Sequence, residues 1–326
     1  MSIRKEAGEL RKLWGGFWSS RVLLTANNYR VFDYLESPKT AKEVAKAVGA
    51  DGRAVEILLD ALTGLGLLKK TALRYKNTAS SNRFLVKESP YYQGDIIKHA
   101  DNLWTSWSGL DAVVKTGQPN RFDRKPRDHD AFIRGMHNLA VLKAGEVISV
   151  IELKGVKKAI DIGGGPGTYS IEMARKGITV ILFDRPETIK IAKGIIRKSG
   201  AGNIGFLEGD FQRDAIGTGY DLIFISQVLH SYSDTDNTRM IKKWVGSLNP
   251  GGRIVIQEFY LDKNRAYPPQ GALFSVNMLV NTTGGRCYAP SEIRQWLSKA
   301  GLGNIRNKVM DDTVLVTGTK KAQIKY

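Results

Sequence analysis

Residues 159–170 read AIDIGGGPGTYS, and this stretch decides the fold of the chain. A short apolar run from Ala159 to Ile162 ends in a cluster of glycines, and a segment typical of a helix follows from Ser170 to Lys176. Glycine has no Cβ and tolerates positive φ, so such a turn lets the backbone approach a ligand closely. The helix N-terminus beyond the turn offers free N–H groups. The stretch therefore predicts a strand, a glycine turn and a helix that together bind a nucleotide-like ligand.

The spacing of the glycines distinguishes between possible ligands. The dinucleotide fingerprint G-x-G-x-x-G/A requires Gly or Ala at the position that Thr168 occupies here. The glycines instead follow G-x-G-x-G, and Gly163 and Gly165 are expected to let a ligand approach the backbone. An NAD(P)-dependent oxidoreductase is therefore the weaker reading, and a plain glycine turn without a ligand is the other alternative.

Strand and helix segments alternate from residue 157 onward, which predicts an α/β fold with a doubly wound parallel sheet. Asp184 follows the second strand, about 20 residues after the first glycine, where an acid can accept both ribose hydroxyls. The last two strands are close in sequence, so a hairpin should make the final strand antiparallel. The predicted strands lie near residues 158–162, 179–183, 204–207, 220–226, 253–258, 304–309 and 312–317.

The N-terminal part has the pattern of a winged helix. A capping box at Thr40 and Glu43 starts one helix, Asp51 can cap the next, and two short strands follow between Leu67 and Lys76. Winged helices often bind DNA, but a recognition helix needs polar and basic side chains for the major groove. The segment 52–62 has one arginine, two acids and apolar residues on more than one face. It therefore favours a dimerisation module over a DNA reader.

Composition limits the class of protein. The chain has 326 residues, 42% hydrophobic residues and a mean hydropathy of −0.25, which is ordinary for a globular protein. No apolar run approaches the ~20 residues that span a bilayer. The single cysteine, Cys287, cannot form an internal disulfide, so we expect a reducing cytoplasm. The net charge of +17 comes from scattered lysines and arginines, which favours a solvated surface over a nucleic-acid or membrane partner.

Six motifs identify a resemblance to a known family. In order, DIGGGPG, FDRP, GDF, SQVLHSYSD, LNPGGR and GGRCY resemble the O-methyltransferases that include caffeate, flavonoid and acetylserotonin methyltransferases and their bacterial relatives. The resemblance covers nearly the whole chain. It implies a Rossmann-like seven-stranded methyltransferase sheet behind an N-terminal, mostly helical winged-helix dimerisation domain. It also implies S-adenosyl-L-methionine as methyl donor, with S-adenosyl-L-homocysteine as product.

The resemblance assigns further residues to the donor. An acid at Asp210 takes the adenine amino group, and the neighbouring Phe211 packs on the adenine ring. Ser226 and Gln227 stand where the family has a lysine or arginine near the donor, although neither is basic here.

A base is expected at His230. Of the four histidines, only His230 follows a sheet strand in a recognisable motif, and it matches the family's catalytic histidine. A phenol has a pKa near ~10, so a histidine base helps to form the phenolate. Glu258 matches one of the two acids that flank this base in the family, whereas Cys287 replaces the second and Ser231 replaces an aspartate. These departures leave open a C- or N-methyl acceptor. No Cys, His and carboxylate cluster has the spacing of metal ligands.

The resemblance also implies the organisation of the chain. The predicted domains are a winged-helix dimerisation domain at 1–100, bridging helices that line the active site at 101–145, and a donor-binding catalytic domain at 146–326. Phe132, Met136 and His137 match a family segment that lines the donor and acceptor pockets, and Cys287 joins them in the substrate pocket. The predicted protein is a homodimer that acts on a small, aromatic hydroxyl compound, with neither a membrane nor a nucleic acid as partner. The non-enzyme alternative is a basic winged-helix regulator that senses a ligand.

Overall fold

The computed structural model describes residues 2–120 and 126–322, and the chain divides into two compact units, Met1–Asn102 and Leu103–Tyr326. The division falls within one helix, Gly94–Trp107. The predicted domain boundaries at residues 100 and 145 stay predictions. Across the described ranges, no helix has both the length and the apolar character needed to cross a membrane.

The first unit is mostly helical and contains one short hairpin. Thr40 starts the second helix as predicted, because its hydroxyl accepts from the Glu43 N–H while the Glu43 carboxylate accepts from the Thr40 N–H. Asp51 caps the third helix through the Ala54 N–H. The elements in chain order are α1 (Ile3–Asn28), a 3-10 helix (Val31–Tyr34), β1 (Lys39–Thr40), α2 (Ala41–Val48), α3 (Gly52–Gly64), β2 (Leu68–Thr71), β3 (Arg74–Asn77), α4 (Ala79–Phe84) and α5 (Gly94–Trp107).

The predicted winged-helix arrangement is confirmed in this unit. Its three strands pair antiparallel in the order β1-β3-β2. Helix α3 packs against the core of the unit through the buried side chains of Val55, Leu59 and Leu62. Its polar Asp60 accepts hydrogen bonds from Lys70 and Tyr75 of the hairpin. The apolar face of α3 therefore packs inward.

The second unit is an α/β sandwich. A strand that is apolar throughout predicts burial on both faces, and β4 and β7 are nearly fully buried as expected. The elements in chain order are α6 (Leu110–Thr116), α7 (Pro126–Ala140), α8 (Ala144–Val150), β4 (Lys158–Ile162), α9 (Thr168–Arg175), β5 (Thr179–Asp184), α10 (Pro186–Ser199), β6 (Ile204–Glu208), β7 (Tyr220–Ser226), a 3-10 helix (Leu229–Ser231), α11 (Asp234–Val245), β8 (Leu248–Phe259), α12 (Pro269–Asn281), α13 (Pro290–Lys299), β9 (Gly303–Met310) and β10 (Thr313–Thr319).

The predicted parallel sheet with a final antiparallel hairpin is confirmed. Seven strands lie in the order β6-β5-β4-β7-β8-β10-β9. The first five are parallel to their neighbours, whereas β10 is antiparallel to β8 and β9. The strand order reverses between β4 and β7, so a crevice opens at the carboxyl ends of these two strands.

Strand β8 begins at Leu248 instead of near residue 253. The turn residues before the apolar run pair with the chain end, because the Gly251 N–H donates to Lys320 and the Lys320 N–H donates to Gly252. Ladder hydrogen bonds therefore extend the strand through a segment whose glycines indicate only a turn.

The two faces of the sheet bury separate cores. Ile254 and Ile256 of β8 face a core that contains Trp244 and Trp296, whereas Val255 faces a core that contains Tyr169 and Phe224. Successive side chains of a strand point to opposite faces. The next residues of β8, Gln257 and Glu258, are therefore divided between the two faces.

Candidate active site

The glycine turn between β4 and α9 has the backbone geometry that the sequence predicts. Gly163, Gly165 and Gly167 have φ of 65°, 53° and 77°. A Cβ on Gly163 would lie 2.6 Å from Cγ2 of Val228, so only glycine fits against the turn after β7. Around Gly165, the nearest atom to such a Cβ is 4.0 Å away. Gly163 therefore closes the packing, and Gly165 leaves room for a ligand to approach the backbone.

Asp184 at the end of β5 is tied to this turn. Its Oδ2 accepts from the Gly165 N–H at 2.9 Å, and its Oδ1 accepts from the Arg185 N–H at 2.7 Å. Burial raises the pKa of Asp184, and the two N–H groups oppose that rise. Each carboxylate oxygen still has a second lone pair, so the group can accept two hydroxyls as predicted.

Phe211 lies beside the glycine turn in a buried aromatic cluster. Its ring makes edge contacts with Phe183, Tyr232 and Trp244, with ring centroids 6.0–6.3 Å apart. The neighbouring Asp210 is partly exposed, and its Oδ1 accepts from the Gln212 N–H at 2.9 Å. A fixed ring and an accessible carboxylate next to each other suit an adenine base and its amino group.

A buried carboxylate lies beneath the glycine turn and was not singled out from the sequence. Asp161 is 1% exposed; its Oδ2 accepts from the Ser170 hydroxyl at 2.7 Å, and its Oδ1 has no partner among the described residues. Burial raises the pKa of Asp161 to about 7, and the nearby Asp184 contributes to the rise. An unpartnered buried oxygen is costly unless a ligand or water satisfies it. An acid inside an apolar strand is the sequence signal that marks this position.

His230 and Glu258 form a buried pair at the carboxyl ends of β7 and β8. The Nδ1 of His230 lies 2.7 Å from Oε2 of Glu258. The other carboxylate oxygen of Glu258 accepts from the N–H groups of Leu229, at 2.7 Å, and of His230 itself, at 3.3 Å. Three contacts thus hold the carboxylate in place. The imidazole is oriented with Nδ1 toward the acid, which leaves Nε2 for another partner.

Two aromatic rings lie beside His230, and a buried thiol lies near its partner Glu258. Phe274 of α12 meets the imidazole edge-on at 4.9 Å and Phe259 lies 6.0 Å away, measured between ring centroids. Cys287 is buried, its N–H donates to the Ser275 hydroxyl at 3.1 Å, and burial raises the pKa of its thiol to about 12. The negative charge of Glu258 adds to that rise. The thiol therefore stays protonated near neutral pH and does not act as a thiolate nucleophile.

The loop after α12 supports the backbone of the His230 turn. A Cβ on Gly285 would lie 2.2 Å from the carbonyl oxygen of His230. The Tyr288 hydroxyl donates to the Tyr232 carbonyl at 2.6 Å, and the Asn237 side chain donates to the Leu229 carbonyl at 2.9 Å. The backbone on both sides of His230 is therefore held by side chains distant in sequence.

Helix α7 brings the predicted pocket segment to the glycine turn. Its His137 contacts the Thr168 hydroxyl at the start of α9, with Nδ1 and Oγ1 2.8 Å apart. Burial lowers the pKa of His137, and the charge of Arg134 adds to this effect. Met136 is half-buried, whereas the Phe132 side chain is 38% exposed. The structure thus places His137 beside the start of α9, and the pocket roles of Phe132, Met136 and His137 stay predictions.

Ser226 ends β7 next to the crevice, and Gln227 follows it. Ser226 donates to the side-chain oxygen of Gln257 at 2.9 Å, and the Gln227 N–H donates to the Gln257 carbonyl at 2.8 Å. Gln227 has a positive φ of 55°, which is uncommon for a residue with a side chain and often marks a functional site. Gln257 and its neighbour Tyr169 were not predicted from the sequence.

Most of the predicted residues meet at one edge of the sheet. Donor-side groups line the ends of β4, β5 and β6, and the His230 pair lies at the ends of β7 and β8. Within residues 2–120 and 126–322, no group of three or more His, Cys, Asp and Glu side chains is arranged to hold a metal ion. The open space at Gly165 and the unpartnered oxygen of Asp161 fit a ligand with both hydroxyl and ammonium groups.

Comparison with known proteins adds to this geometry. A model described as an O-methyltransferase domain matches residues 98–303, and one described as an O-methyltransferase dimerisation domain matches residues 12–87. A 3-hydroxy-5-methyl-1-naphthoate 3-O-methyltransferase from Streptomyces sahachiroi is 30% identical over 91% of this chain and 90% of that protein. Human N-acetylserotonin methyltransferase in complex with SAM has a TM-score of 0.90 at 26% identity, over 99% of both chains. An O-methyltransferase family protein from Burkholderia thailandensis has a TM-score of 0.88 at 28% identity, over 98% of this chain and 99% of that chain.

Proposed function

This chain belongs to the O-methyltransferase family of S-adenosylmethionine-dependent enzymes, and we propose that it methylates a hydroxyl of a small aromatic acceptor with His230 as general base. The observation that carries the proposal is the buried contact of 2.7 Å between His230 Nδ1 and Glu258 Oε2 beside the donor crevice.

The chain's own residues account for donor binding. S-adenosylmethionine supplies an activated methyl group on a sulfonium. Gly163 and Gly165 give it access to the backbone, Asp184 accepts the ribose hydroxyls, and Asp210 with Phe211 holds the adenine. Asp161 offers its unpartnered oxygen to the ammonium of the amino-acid tail. Each of these roles uses a lone pair, ring or open space that the structure leaves available.

The His230 pair accounts for the proton. Glu258 carries no proton of its own to donate when ionised, so it accepts the Nδ1–H of the imidazole. This fixes the tautomer in which Nε2 has a free lone pair, and Nε2 then takes the proton of the acceptor hydroxyl. A phenol with a pKa near ~10 needs such a base at neutral pH. Burial of both side chains keeps water away from the reacting atoms.

The surroundings of His230 support an aromatic acceptor. Phe259 and Phe274 pack 4.1 Å apart, measured between ring centroids, and both lie beside the imidazole. Such rings favour a flat apolar partner. The two named relatives act on a hydroxynaphthoate and on N-acetylserotonin, which are both aromatic. The bridging role of residues 101–145, with Phe132 and Met136 in the pocket, belongs to the same proposal.

Helix α1 supports a homodimer. Leu13, Trp14, Phe17 and Trp18 are exposed on it within the segment that matches the dimerisation domain, and the exposed Leu10 lies just before that segment. Exposed apolar patches of this kind mark interaction sites. We further propose a reducing, cytoplasmic location, because the chain has a single cysteine, which is buried.

Calorimetric titration with S-adenosylhomocysteine tests the donor site. We expect micromolar binding, no binding of NADH as control ligand, and a clear loss of affinity in Asp184→Ala. Unchanged affinity in Asp184→Ala would contradict the assignment of the ribose site.

Acceptor screening with the wild type and His230→Ala tests the base. We expect His230→Ala to lower kcat by about 10²–10⁴-fold while donor affinity is unchanged. A near-normal rate in this variant would instead indicate a C- or N-methyl acceptor, for which the loss of the second family acid at Cys287 already leaves room.

A further inference from the structure

A small polar cluster, formed by Tyr169, Ser226 and Gln257, lies on the side of the sheet opposite the His230 pair. Gln257 directly precedes Glu258 in β8, so the two side chains point to opposite faces. Glu258 faces His230, whereas Gln257 faces the core that contains Tyr169 and Phe224. The cluster is therefore separate from the groups that handle the proton.

Within this cluster, Gln257 has a side-chain N–H group without a hydrogen-bond partner among the described residues. Its side chain is 0% exposed, and its Oε1 accepts from the Ser226 hydroxyl at 2.9 Å. That contact orients the amide, so that Nε2 points away from Ser226. Nε2 has no hydrogen-bond partner among the described residues. A buried N–H without a partner is strongly unfavourable, so a ligand or water is expected to accept from it.

Tyr169 supplies a second donor at the same place. It lies in the first turn of α9, is 8% exposed, and packs on Phe224 with ring centroids 5.2 Å apart. Burial raises the pKa of the phenol to about 12, and hydrogen-bonding interactions with the Gln257 and Ser226 side chains oppose that rise. The hydroxyl is therefore protonated at neutral pH and lies close to the side chains of Gln257 and Ser226.

The cluster borders the glycine turn on the side away from the adenosine site. Ser226 ends β7, and the preceding Ile225 pairs with Ile162, the last residue before the turn. Tyr169 follows Gly167 by two residues. In the strand order, Asp210 and Asp184 lie at β6 and β5, on one side of β4, and the cluster lies at β7 and β8 on the other. The cluster is therefore on the side of β4 that remains for the amino-acid tail when the adenosine of the donor lies over β5 and β6.

The chemistry of the cluster fits one end of that tail. An amide N–H and a phenol O–H both donate, which suits a carboxylate. The nearby Asp161 and Asp312 also raise the pKa of Tyr169, and the unpartnered oxygen of Asp161 suits the ammonium on the same carbon. We propose that Gln257 Nε2 and Tyr169 Oη bind the carboxylate of the donor's amino-acid tail, with Ser226 orienting the amide. This inference rests on the proposed donor site.

Two ligands that differ only in the carboxylate test the subsite. S-adenosylhomocysteine carries the full tail, and S-adenosyl-3-thiopropylamine keeps the amine but lacks the carboxylate. Calorimetry is carried out with both ligands on the wild type, Gln257→Leu and Tyr169→Phe. Gln295→Leu and Tyr267→Phe, both at exposed positions, are the matched controls.

We expect Gln257→Leu to weaken S-adenosylhomocysteine by about 10-fold or more, because a hydrogen bond to a charged group is lost. Tyr169→Phe should act in the same direction, and neither substitution should alter the affinity for S-adenosyl-3-thiopropylamine. The midpoint temperature of thermal unfolding without ligand should be unchanged or higher in Gln257→Leu, since an unpartnered buried donor is removed. A merely structural role for Gln257 predicts the opposite, a less stable ligand-free protein.

Three results overturn the inference. Equal losses for both ligands would indicate a general disturbance of the donor site, and no loss for either would remove the subsite. A change confined to the KM of the acceptor would assign the cluster to the acceptor. If the wild type binds S-adenosylhomocysteine, these results leave the proposed function intact. Failure of the wild type to bind it would overturn both proposals together.

Discussion

The side chain of Glu258 determines which nitrogen of His230 is available as a base. Its Oε1 accepts two backbone N–H groups, and its Oε2 faces Nδ1 at 2.7 Å. The imidazole alone carries no such preference, because either nitrogen of a neutral ring can hold the proton. The orientation of the base is thus a property of the pair.

Glu258→Gln is expected to lower kcat by about 10²–10⁴-fold with donor affinity unchanged. The glutamine oxygen can keep the two backbone contacts, so that its amide N–H faces Nδ1. The ring then holds its proton on Nε2 and cannot accept another there. Steady-state kinetics of Glu258→Gln, His230→Gln and the double variant check this. The double variant should be no slower than His230→Gln, and additive losses would show that the two residues do not act as a unit.

The raised pKa of Asp161 makes the stability of the ligand-free protein depend on pH. Its ordinary pKa is 3.8, and in the folded protein the pKa is about 7. As the pH rises from 4 to 7, Asp161 therefore ionises in the unfolded chain before it does so in the folded protein, which lowers the free energy of unfolding. Asp161→Asn cannot ionise, so it should raise the free energy of unfolding of the ligand-free protein above pH 7 by up to about 4 kcal/mol. The difference should shrink toward zero as the pH falls from 7 to 4.

Denaturant unfolding from pH 4 to pH 8 measures this difference, and calorimetry measures the accompanying loss of S-adenosylhomocysteine affinity. Ser170→Ala is the useful companion, since it removes the hydrogen bond to Asp161 Oδ2 and keeps the acid. A difference between the wild type and Asp161→Asn that does not vary with pH would mean that Asp161 has the same pKa in both states.

At the scale of elements, the loop after α12 and the 3-10 helix at Leu229–Ser231 form one unit. Gly285 approaches the His230 carbonyl so closely that no Cβ fits, and Tyr288 binds the Tyr232 carbonyl. The loop carries Cys287 in place of the second family acid. We therefore expect the loop to act through the position of the His230 backbone.

Gly285→Ala should displace this turn and lower kcat by about 10²-fold, because misplacing a catalytic group by ~1 Å has effects of this size. S-adenosylhomocysteine affinity should not change, since the atoms nearest a Cβ on Gly285 belong to His230, Ser231 and Thr282, none of which is assigned to the donor. Steady-state kinetics and calorimetry on the same preparation check whether kcat falls while S-adenosylhomocysteine affinity is unchanged. Gly194→Ala is the control, because a Cβ there meets open space within α10. An unchanged kcat in Gly285→Ala would show that the loop adapts without moving His230.

At the scale of the whole molecule, α1 presents apolar side chains that its own unit leaves uncovered. Leu13, Trp14 and Trp18 are 80%, 58% and 63% exposed, and the rings of Trp14 and Trp18 lie 6.4 Å apart. The C-terminal end of the helix, in contrast, buries Leu24 and Ala26. The first part of α1 therefore suits a second copy of the chain.

The triple variant Leu13→Ser, Trp14→Ser and Trp18→Ser should shift the protein from dimer to monomer. These changes remove most of the apolar area that a partner would cover, and apolar area drives association. Sedimentation velocity at micromolar concentration measures the shift. A matched control is Leu73→Ser, an exposed apolar residue away from α1. A wild type that sediments as a monomer would contradict the homodimer.

The sequence by itself determined the fold and the donor side of the site. Hydrophobic periodicity and the residue preferences of turns depend only on neighbouring residues. The apolar runs at β4, β5 and β7, and the glycine turn between β4 and α9, could therefore be predicted from the sequence. Asp184 ends β5, and Asp210 and His230 lie shortly after β6 and β7. The carboxyl ends of these parallel strands meet at one edge. Their convergence followed from topology alone.

Only the tertiary structure decided which side chains share a hydrogen bond across distant elements. Asp161, Tyr169 and Gln257 read as parts of apolar segments, because burial and partner identity depend on which face a residue takes and on what packs against it. Cys287 read as a departure from a motif, whereas the structure shows a buried, protonated thiol beside Ser275. Periodicity places a side chain on a face, but an unmet donor or acceptor exists only once the neighbouring elements have closed around it.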